Sequence, residues 1–169
     1  MTAIEREGHG WAAPRARSKQ VRQLDRAIIR FAGGSGAGRE QFIAGNVDFA
    51  GSDSALKDEQ IEAAAQRCGG NPAWHLPLVF GPLAMAYNIE GVDTLVLNGD
   101  TLAKIFQGQI SNWNDPAIAA LNEGATLPDS PITPIFRSDS SGTTDNFQKY
   151  LTAAAPTTWT KGDGSEFQG

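Results

Sequence analysis

Short apolar segments alternate with helical segments from residue 31 onward, and this alternation constrains the fold more than any other feature of the chain. Strand-like segments occupy 31–32, 47–50, 76–80, 83–88 and 132–136. Helical segments occupy 39–44, 58–67, 101–106, a stretch that follows Asp115, and 141–155. Strands that alternate with helices predict an α/β fold with a mixed or parallel sheet, in which ligands bind at the carboxyl ends of the strands.

Capping residues predict where several of these helices begin and end. Asp100 and Asp115 are each expected to be an N-cap, and Pro116 suits the first position of the helix after Asp115. Ser141 is expected to open the last helix. The glycine pair at 69–70 is expected to end the helix before it, since glycine adopts the left-handed conformation at helix C-termini.

Three polar loops follow predicted strands: the first loop (33–38), the second loop (51–54) and the third loop (137–143). The first loop places Ser35 and several glycine N–H groups at a helix N-terminus, where unpaired N–H groups and the helix dipole attract anions. It matches neither a Walker A loop nor the dinucleotide-binding pattern. A glycine-rich turn without a ligand explains this loop, taken alone, equally well.

The third loop sets one guanidinium beside four hydroxyl groups at a predicted helix start. Arg137 is the only base between Lys104 and Lys149, so its charge does not belong to a solvated basic face. A planar fork of donors suits a tetrahedral oxyanion, and Asp139 could hold that fork in orientation. The alternative is an N-cap cluster with an exposed arginine.

The second loop contributes a carboxylate, Asp53. A carboxylate beside an anion site makes sense only where the anion carries a proton. Phosphate retains one at neutral pH and can donate it in a hydrogen bond, whereas sulfate offers only repulsive lone pairs. The alternative is that Asp53 is an ordinary turn residue.

Composition excludes several other kinds of site. Residues 31–169 contain seven bases against sixteen acids, a net charge of -9, which argues against a nucleic-acid surface. Cys68 is the only cysteine, and His9 and His75 lie far apart, so no metal site is expected. Ala37 replaces the last glycine of a serine-hydrolase elbow, and His75 stands in the wrong chain order for a catalytic triad.

Residues 1–30 differ in composition from the rest of the chain, with seven Lys or Arg against three acids. They are expected to be an atypical basic extension outside the fold, and the alternative is an arm that binds nucleic acid or a membrane. The segment lacks the apolar core of a secretory signal. The chain as written therefore predicts no export.

Five motifs together resemble the phosphate-specific receptors of ABC transporters. GSGAG at 34–38 and QFIAGNVDFAGSD at 41–53 resemble the first-lobe signature of that family. LAKIFQGQI at 102–110 and WNDPAI at 113–118 are similar to its second-lobe segment. RSDSSGT at 137–143 is similar to its phosphate loop. Their order and spacing match the family from about residue 31 to the end of the chain.

The resemblance implies an α/β, periplasmic-binding-protein-like fold of the Venus-flytrap type II, with two lobes and mixed sheets. Residues 31–78 would form part of lobe 1, and residues 79–169 the first part of lobe 2. Nothing in residues 1–30 matches the family's leader, first strand or first phosphate loop, and the family continues beyond residue 169. The fold is therefore expected to be incomplete at both ends.

The resemblance also implies a set of phosphate ligands drawn from both lobes. Ser35 would donate a hydrogen bond from the first lobe, and Asp53 would accept the phosphate proton. Arg137 would pair with the anion, and Asp139 would orient Arg137. Hydroxyl or backbone N–H donors at the helix start would complete the set: Ser141, Gly142 and Thr143. Neither a metal nor an organic cofactor is implied.

The function implied by the resemblance is binding of inorganic phosphate and its delivery to the membrane permease of an ABC transporter. Such a receptor would be a monomer and would not be an enzyme. It would bind no nucleic acid, and it would be periplasmic or anchored at the cell surface. Without a signal peptide, the chain as written would stay in the cytoplasm. The alternatives are a receptor for sulfate or molybdate, an inactive fragment, and an enzyme of phosphoryl transfer or hydrolysis.

Overall fold

The computed structural model describes residues 33–169. The expectations for the basic extension at 1–30 and for a strand at 31–32 lie outside the described residues. The described residues contain five helices: α1 (Ser35–Ile43), α2 (Asp58–Arg67), α3 (Gly99–Phe106), α4 (Pro116–Ala119) and α5 (Gly142–Ala154). None of these helices is long and apolar enough to cross a membrane.

The sequence predicted most of the helix boundaries. Helix α2 occupies the predicted residues 58–67, and the glycine pair at 69–70 follows it with φ of 67° and 86°. Asp115 caps α4 through a hydrogen bond of 2.8 Å from the N–H of Ala117, with Pro116 at the start of the helix. Ser141 caps α5 as expected. Helix α1 begins at Ser35, four residues before the predicted start.

The N-cap prediction for α3 was wrong. The cap is Asn98, whose side-chain oxygen accepts the N–H of Thr101 at 2.9 Å, while the Thr101 hydroxyl accepts the N–H of Asn98 at 3.0 Å. Asp100 instead lies in the first turn and forms an ion pair with Lys104 at 2.6 Å. The two candidates are two residues apart, and the reciprocal bonds of a capping box favour Asn98.

No extended strand forms within residues 33–169, so the predicted mixed sheets are not confirmed in this part of the chain. One isolated antiparallel bridge joins Asn112 to Pro131. The segments predicted as strands at 76–80, 83–88 and 132–136 contain no strand or bridge residue, and in the one at 47–50 only Ala50 takes part in a bridge. A strand needs a partner to satisfy its backbone N–H and C=O groups, and apolar alternation by itself does not provide one.

The largest hydrophobic cluster lies between α3 and α5. Its buried members are Leu102, Ala103, Phe147, Leu151, Ala155 and Trp159. Helices α3 and α5 approach closely at Gly99, where a Cβ atom would lie only 2.7 Å from that of Ala154. A second cluster of Ile105, Ile110 and Ile118 extends this core toward α4. Burial of these side chains orients α5, whose first turn carries part of the candidate site.

The segment after α5 folds back onto that helix through a buried amide. Gln148 is fully buried, and its Nε2 donates to the carbonyl oxygens of Gly164 and Glu166 at 2.8 and 2.9 Å. Its Oε1 accepts the N–H of Gln168 at 2.8 Å. The N–H of Ser141 donates to the carbonyl oxygen of Ser165 at 2.9 Å, so the returning segment also supports the start of α5.

Helices α1 and α2 pack together through an arginine. The Arg67 guanidinium donates to the carbonyl oxygens of Phe42 and Val47 at 3.1 and 2.7 Å, and it lies 4.5 Å from the centre of the Phe42 ring. These contacts close the end of α1 that is distant from the first loop. The first loop lies at the opposite, N-terminal end of α1, and this end faces the third loop.

Residues 74–88, named here the exposed segment, connect α1 and α2 to the rest of the chain. All of them are exposed, including large apolar side chains such as Leu78 at 91% and Phe80 at 93%. Large apolar side chains are seldom this exposed on a soluble domain.

Candidate functional site

The first and third loops are in direct backbone contact. The N–H of Gly36 donates to the carbonyl oxygen of Ser140 at 3.1 Å. A Cβ atom on Gly34 would lie 2.6 Å from Oδ2 of Asp139, and one on Gly36 would collide with the Ser140 side chain. Glycine at both positions is therefore what allows the two loops to touch.

The second loop meets the other two at Gly142. A Cβ atom on Gly142 would lie 2.5 Å from the Ser35 Oγ and 2.8 Å from the Asp53 Cβ. Three of the predicted site residues, one from each of α1, the second loop and α5, thus lie within van der Waals distance of one another. Ser35 and Gly142, the two that lie farthest apart in the sequence, are separated by more than 80 residues.

Ser35 is buried, with 2% of its surface exposed, and its Oγ accepts the N–H of Asp53 at 3.0 Å. The hydroxyl proton of Ser35 is not used in that bond, so it is available to a ligand. The carbonyl oxygen of Asp53 accepts Nδ2 of Asn146 at 2.7 Å. The Asp53 backbone is therefore held from both α1 and α5, while its side chain is exposed.

Arg137 and Asp139 form a two-pronged ion pair. Nε of Arg137 donates to Oδ1 of Asp139 at 2.7 Å, and Nη2 donates to Oδ2. The Gly34 N–H also donates to this carboxylate. The hydrogen bonds from Arg137 hold the pKa of the Asp139 carboxyl below its ordinary value, although partial burial acts in the opposite direction. Arg137 keeps the N–H groups of Nη1 for another partner, and its side chain is 31% exposed.

Ser141 is fully buried at the N-cap of α5, where its Oγ accepts the N–H of Thr144 at 3.3 Å. The residues that follow, Gly142 and Thr143, occupy the first turn, whose N–H groups have no acceptor within the helix. Gly142 is buried and Thr143 is exposed. The first turn of α5 therefore places these donors beside Ser35 and Asp53, which lie next to Gly142.

Sequence reasoning missed two residues of this region, Arg39 and Asn146. Arg39 is buried in α1 and contacts serines of the second loop. Its position four residues after Ser35 places it on the same helix face, and that spacing was the available signal. Asn146 lies four residues after Gly142, and the same spacing rule would have marked it.

The assembled groups are mostly hydrogen-bond donors, with the Arg137 guanidinium in the third loop, the Arg39 guanidinium in α1, and the exposed Asp53 carboxylate as an acceptor. Such a set can hold a tetrahedral oxyanion that keeps one proton. Among residues 33–169 no group of three or more His, Cys, Asp or Glu side chains could hold a metal ion.

Comparison with known proteins gives one family and a consistent group of relatives. Residues 31–166 match the model of a PBP superfamily domain. The chain is 55% identical over 138 residues to phosphate-binding protein PstS 3 of Mycobacterium leprae, a match that covers 82% of this chain and 37% of the relative.

Two further relatives carry similar names. The chain is 57% identical over 140 residues to phosphate-binding protein PstS 2 of Mycobacterium tuberculosis, covering 82% of this chain and 38% of the relative. It is 42% identical over 128 residues to phosphate-binding protein PstS of Pasteurella multocida, covering 75% and 35%. The chain therefore spans little more than a third of the length of the curated relatives it matches.

Proposed function

The chain belongs to the PBP superfamily, and from this membership we propose that it binds inorganic phosphate as part of a receptor for an ABC phosphate importer. The observation that carries the proposal is the convergence of Ser35, Asp53 and Gly142, with Arg137 in the same third loop as Gly142. The names of the mycobacterial relatives support the choice of ligand.

In this proposal the ion is held by neutral donors around one fixed cation. The Ser35 hydroxyl and the first turn of α5 donate hydrogen bonds, and Arg137 pairs with the anion through its remaining N–H groups. Asp139 acts on the ion only through Arg137, because its carboxylate is already bonded to that guanidinium. The proposed ligands are Ser35, Asp53, Arg137, Ser141, Gly142 and Thr143.

Asp53 is proposed to set the choice between phosphate and sulfate. Its carboxylate accepts the proton that phosphate retains, whereas sulfate has no proton to give. Sulfate would therefore leave an unmet hydrogen bond and set like charges against each other, which costs several kcal/mol, enough for about a thousandfold discrimination.

The remaining parts of the proposal concern the whole receptor. Residues 31–78 would contribute to one lobe and residues 79–169 to the other, each with a mixed sheet, around phosphate bound between them. The receptor would be periplasmic or attached to the cell surface and would pass phosphate to a membrane permease. It would carry out no chemical reaction on the ion.

Calorimetric titration with phosphate tests the role of Arg137. Arg137→Ala should weaken phosphate binding by about tenfold or more, because a hydrogen-bonded charge is lost. Arg137→Lys should not restore it, since an ammonium cannot both hold Asp139 through two bonds and contact the ion. Lys161→Ala, which removes an exposed charge elsewhere, is the control. Equal affinities for wild type and Arg137→Ala would contradict the assignment.

Competition between phosphate and sulfate at neutral pH tests the role of Asp53. Asp53→Asn should keep much of the phosphate affinity, because an amide can still pair with the ion, and should bind sulfate better than wild type does. A wild type that binds both anions equally would favour a receptor for another oxyanion. A mutant that excludes sulfate unchanged would make Asp53 a turn residue only.

A further inference from the structure

Arg39 is a buried guanidinium whose partners are all hydroxyl groups. It is 4% exposed and lies one helical turn after Ser35 on the same face of α1. Its Nη1 donates to the Ser54 Oγ at 2.6 Å, with a longer contact of 3.5 Å to the Ser52 Oγ, and its Nη2 donates to the Ser165 Oγ at 2.9 Å. One guanidinium thus joins α1 to two other segments.

The contacts to Ser52 and Ser54 fix the turn that carries Asp53. The Ser52 Oγ donates to the Ser54 carbonyl oxygen at 2.6 Å and accepts the Ser54 N–H at 3.3 Å, so the two serines close a turn with Asp53 between them. Arg39 holds this turn from inside the protein. Ser35, one turn earlier in α1, holds the Asp53 N–H.

The contact to Ser165 links Arg39 to the start of α5. The Ser165 carbonyl oxygen accepts the N–H of Ser141, the N-cap of α5, at 2.9 Å. A single side chain therefore connects the turn that carries the acceptor carboxylate with the helix start that carries the donors. Arginine makes the two contacts from two terminal nitrogens held in a rigid fork, whereas a lysine would have to make both from one flexible ammonium.

Arg39 carries a buried positive charge. No carboxylate of residues 33–169 forms an ion pair with it, and its Nε has no hydrogen-bond partner although it is buried. Hydroxyl partners satisfy donors without cancelling charge. A buried cation of this kind is costly unless a nearby anion compensates it, and a bound oxyanion next to Asp53 would do so.

We propose that Arg39 is a positioning residue that fixes the Asp53 turn relative to the N-terminus of α5, and so keeps the acceptor and the donors in register for one protonated anion. The expected effect of Arg39 on anion binding rests on the proposed function, whereas its role in connecting the Asp53 turn to α5 does not. No signal for it is present in the three loops themselves, since Arg39 lies one turn inside α1.

The first test compares Arg39→Lys with Arg67→Lys as a matched control. Arg67 bonds two backbone carbonyl oxygens at the other end of α1, and the same substitution is made there. In Arg39→Lys the ratio of phosphate to sulfate affinity, measured by titration with each anion, should fall by about tenfold or more. In Arg67→Lys the ratio should not change, even if thermal stability drops. An unchanged ratio in folded Arg39→Lys would overturn the proposal.

The second test needs no ligand and separates this inference from the proposed function. Amide hydrogen exchange at Asp53 and Ser141 should speed up in Arg39→Lys and not in Arg67→Lys, because these two N–H groups are bonded within the connection that Arg39 maintains. Unchanged exchange at both amides would overturn the inference. If wild type binds neither anion, the proposed function fails and the exchange result still decides the role of Arg39.

A variant that leaves the arginine in place guards against misfolding of Arg39→Lys. Ser54→Ala removes the closest hydroxyl partner on the second loop and should speed exchange at Asp53 more than at Ser141. Ser165→Ala removes the hydroxyl partner on the segment that bonds Ser141, and should speed exchange at Ser141 more than at Asp53. Equal effects of the two serine variants at both amides would contradict the proposed connection.

Discussion

Single residues decide how closely the three loops approach. Gly142 is the point where the three loops meet, because a Cβ atom there would meet Oγ of Ser35 and both the Cβ and the backbone carbon of Asp53, at 2.5, 2.8 and 3.0 Å. A serine hydroxyl can rotate away, but the Asp53 backbone is held by its hydrogen bonds to Ser35 and Asn146. The strain of a larger residue therefore cannot be relieved by one side chain alone.

We expect Gly142→Ala to destabilise the folded chain by about 1–3 kcal/mol, the usual cost of overpacking a fixed contact. Phosphate binding should weaken as well, because the second loop and α5 are forced apart. Gly81→Ala is the control, since a Cβ atom there meets nothing within 4 Å. Chemical unfolding of both variants measures the difference, and a Gly142→Ala as stable as Gly81→Ala would contradict the close approach.

The Arg137–Asp139 pair should give stability that depends on pH. Because the pKa of Asp139 is lowered in the folded state, its contribution is fully present above the unfolded-state pKa, near 4, and is lost as the pH falls through the lowered value. The free energies of unfolding of wild type and Asp139→Asn should differ at pH 7 and converge as the pH falls below the lowered pKa of Asp139. The exposed side chains make the difference small and weaker in salt. A difference that stays constant across this range would exclude the ion pair as its cause.

Sequence patterns marked three of the proposed ligands that lie together in the structure, but not what supports them. Ser35, Asp53 and Gly142 lie in loops whose glycine and hydroxyl content marks them locally, and the structure brings them into contact. Arg39 could not be found in this way. Its role depends on Ser165, a contact that is 126 residues away in sequence and that no local pattern reports.

Among the helices, local signals predicted the boundaries wherever one capping residue was available. At α3 two polar residues competed, and the choice between them depended on a reciprocal bond between Asn98 and Thr101 that sequence spacing does not rank. The strands could not be predicted in the same way, because strand formation depends on a partner elsewhere in the chain. Residues 76–80 have the apolar pattern of a strand without that partner in the described part of the chain.

We expect Asn98→Ala to destabilise the folded chain by about 1 kcal/mol, the usual cost of losing an N-cap. Asp100→Asn should cost less, because its ion pair with Lys104 is partly exposed and such pairs contribute little. Thermal unfolding of the two variants at matched concentration measures the order. The reverse order would mean that Asp100 is the effective cap.

At the scale of the whole molecule, the exposed segment bears on the expectation of a monomer, which stays a prediction. Leu78 and Phe80 lie almost fully open to solvent among other apolar side chains. Their burial against any suitable surface would be favourable by roughly 1.5–3 kcal/mol per side chain. A monomeric state therefore requires this segment to be covered.

We expect the chain alone to self-associate with rising concentration, and Leu78→Lys combined with Phe80→Lys to reduce that association. The two lysines bring the net charge from -5 to -3, so greater mutual repulsion cannot be the reason for the reduction. Thr94→Lys, a charge added at an exposed polar position, is the control. Sedimentation velocity over a concentration series measures the effect, and equal association by all three proteins would contradict the expectation.

The path of the exposed segment also determines what would happen if the chain were cut there. A protease would find residues 74–88 accessible and without regular secondary structure, while the helices on either side are packed. The two pieces would remain joined without a peptide bond between them, because Gly36 bonds Ser140, Asp53 bonds Asn146 and Arg39 bonds Ser165 across the cut. The contacts among the three loops would therefore hold a cleaved molecule together, and the same contacts would allow two separately produced halves to associate.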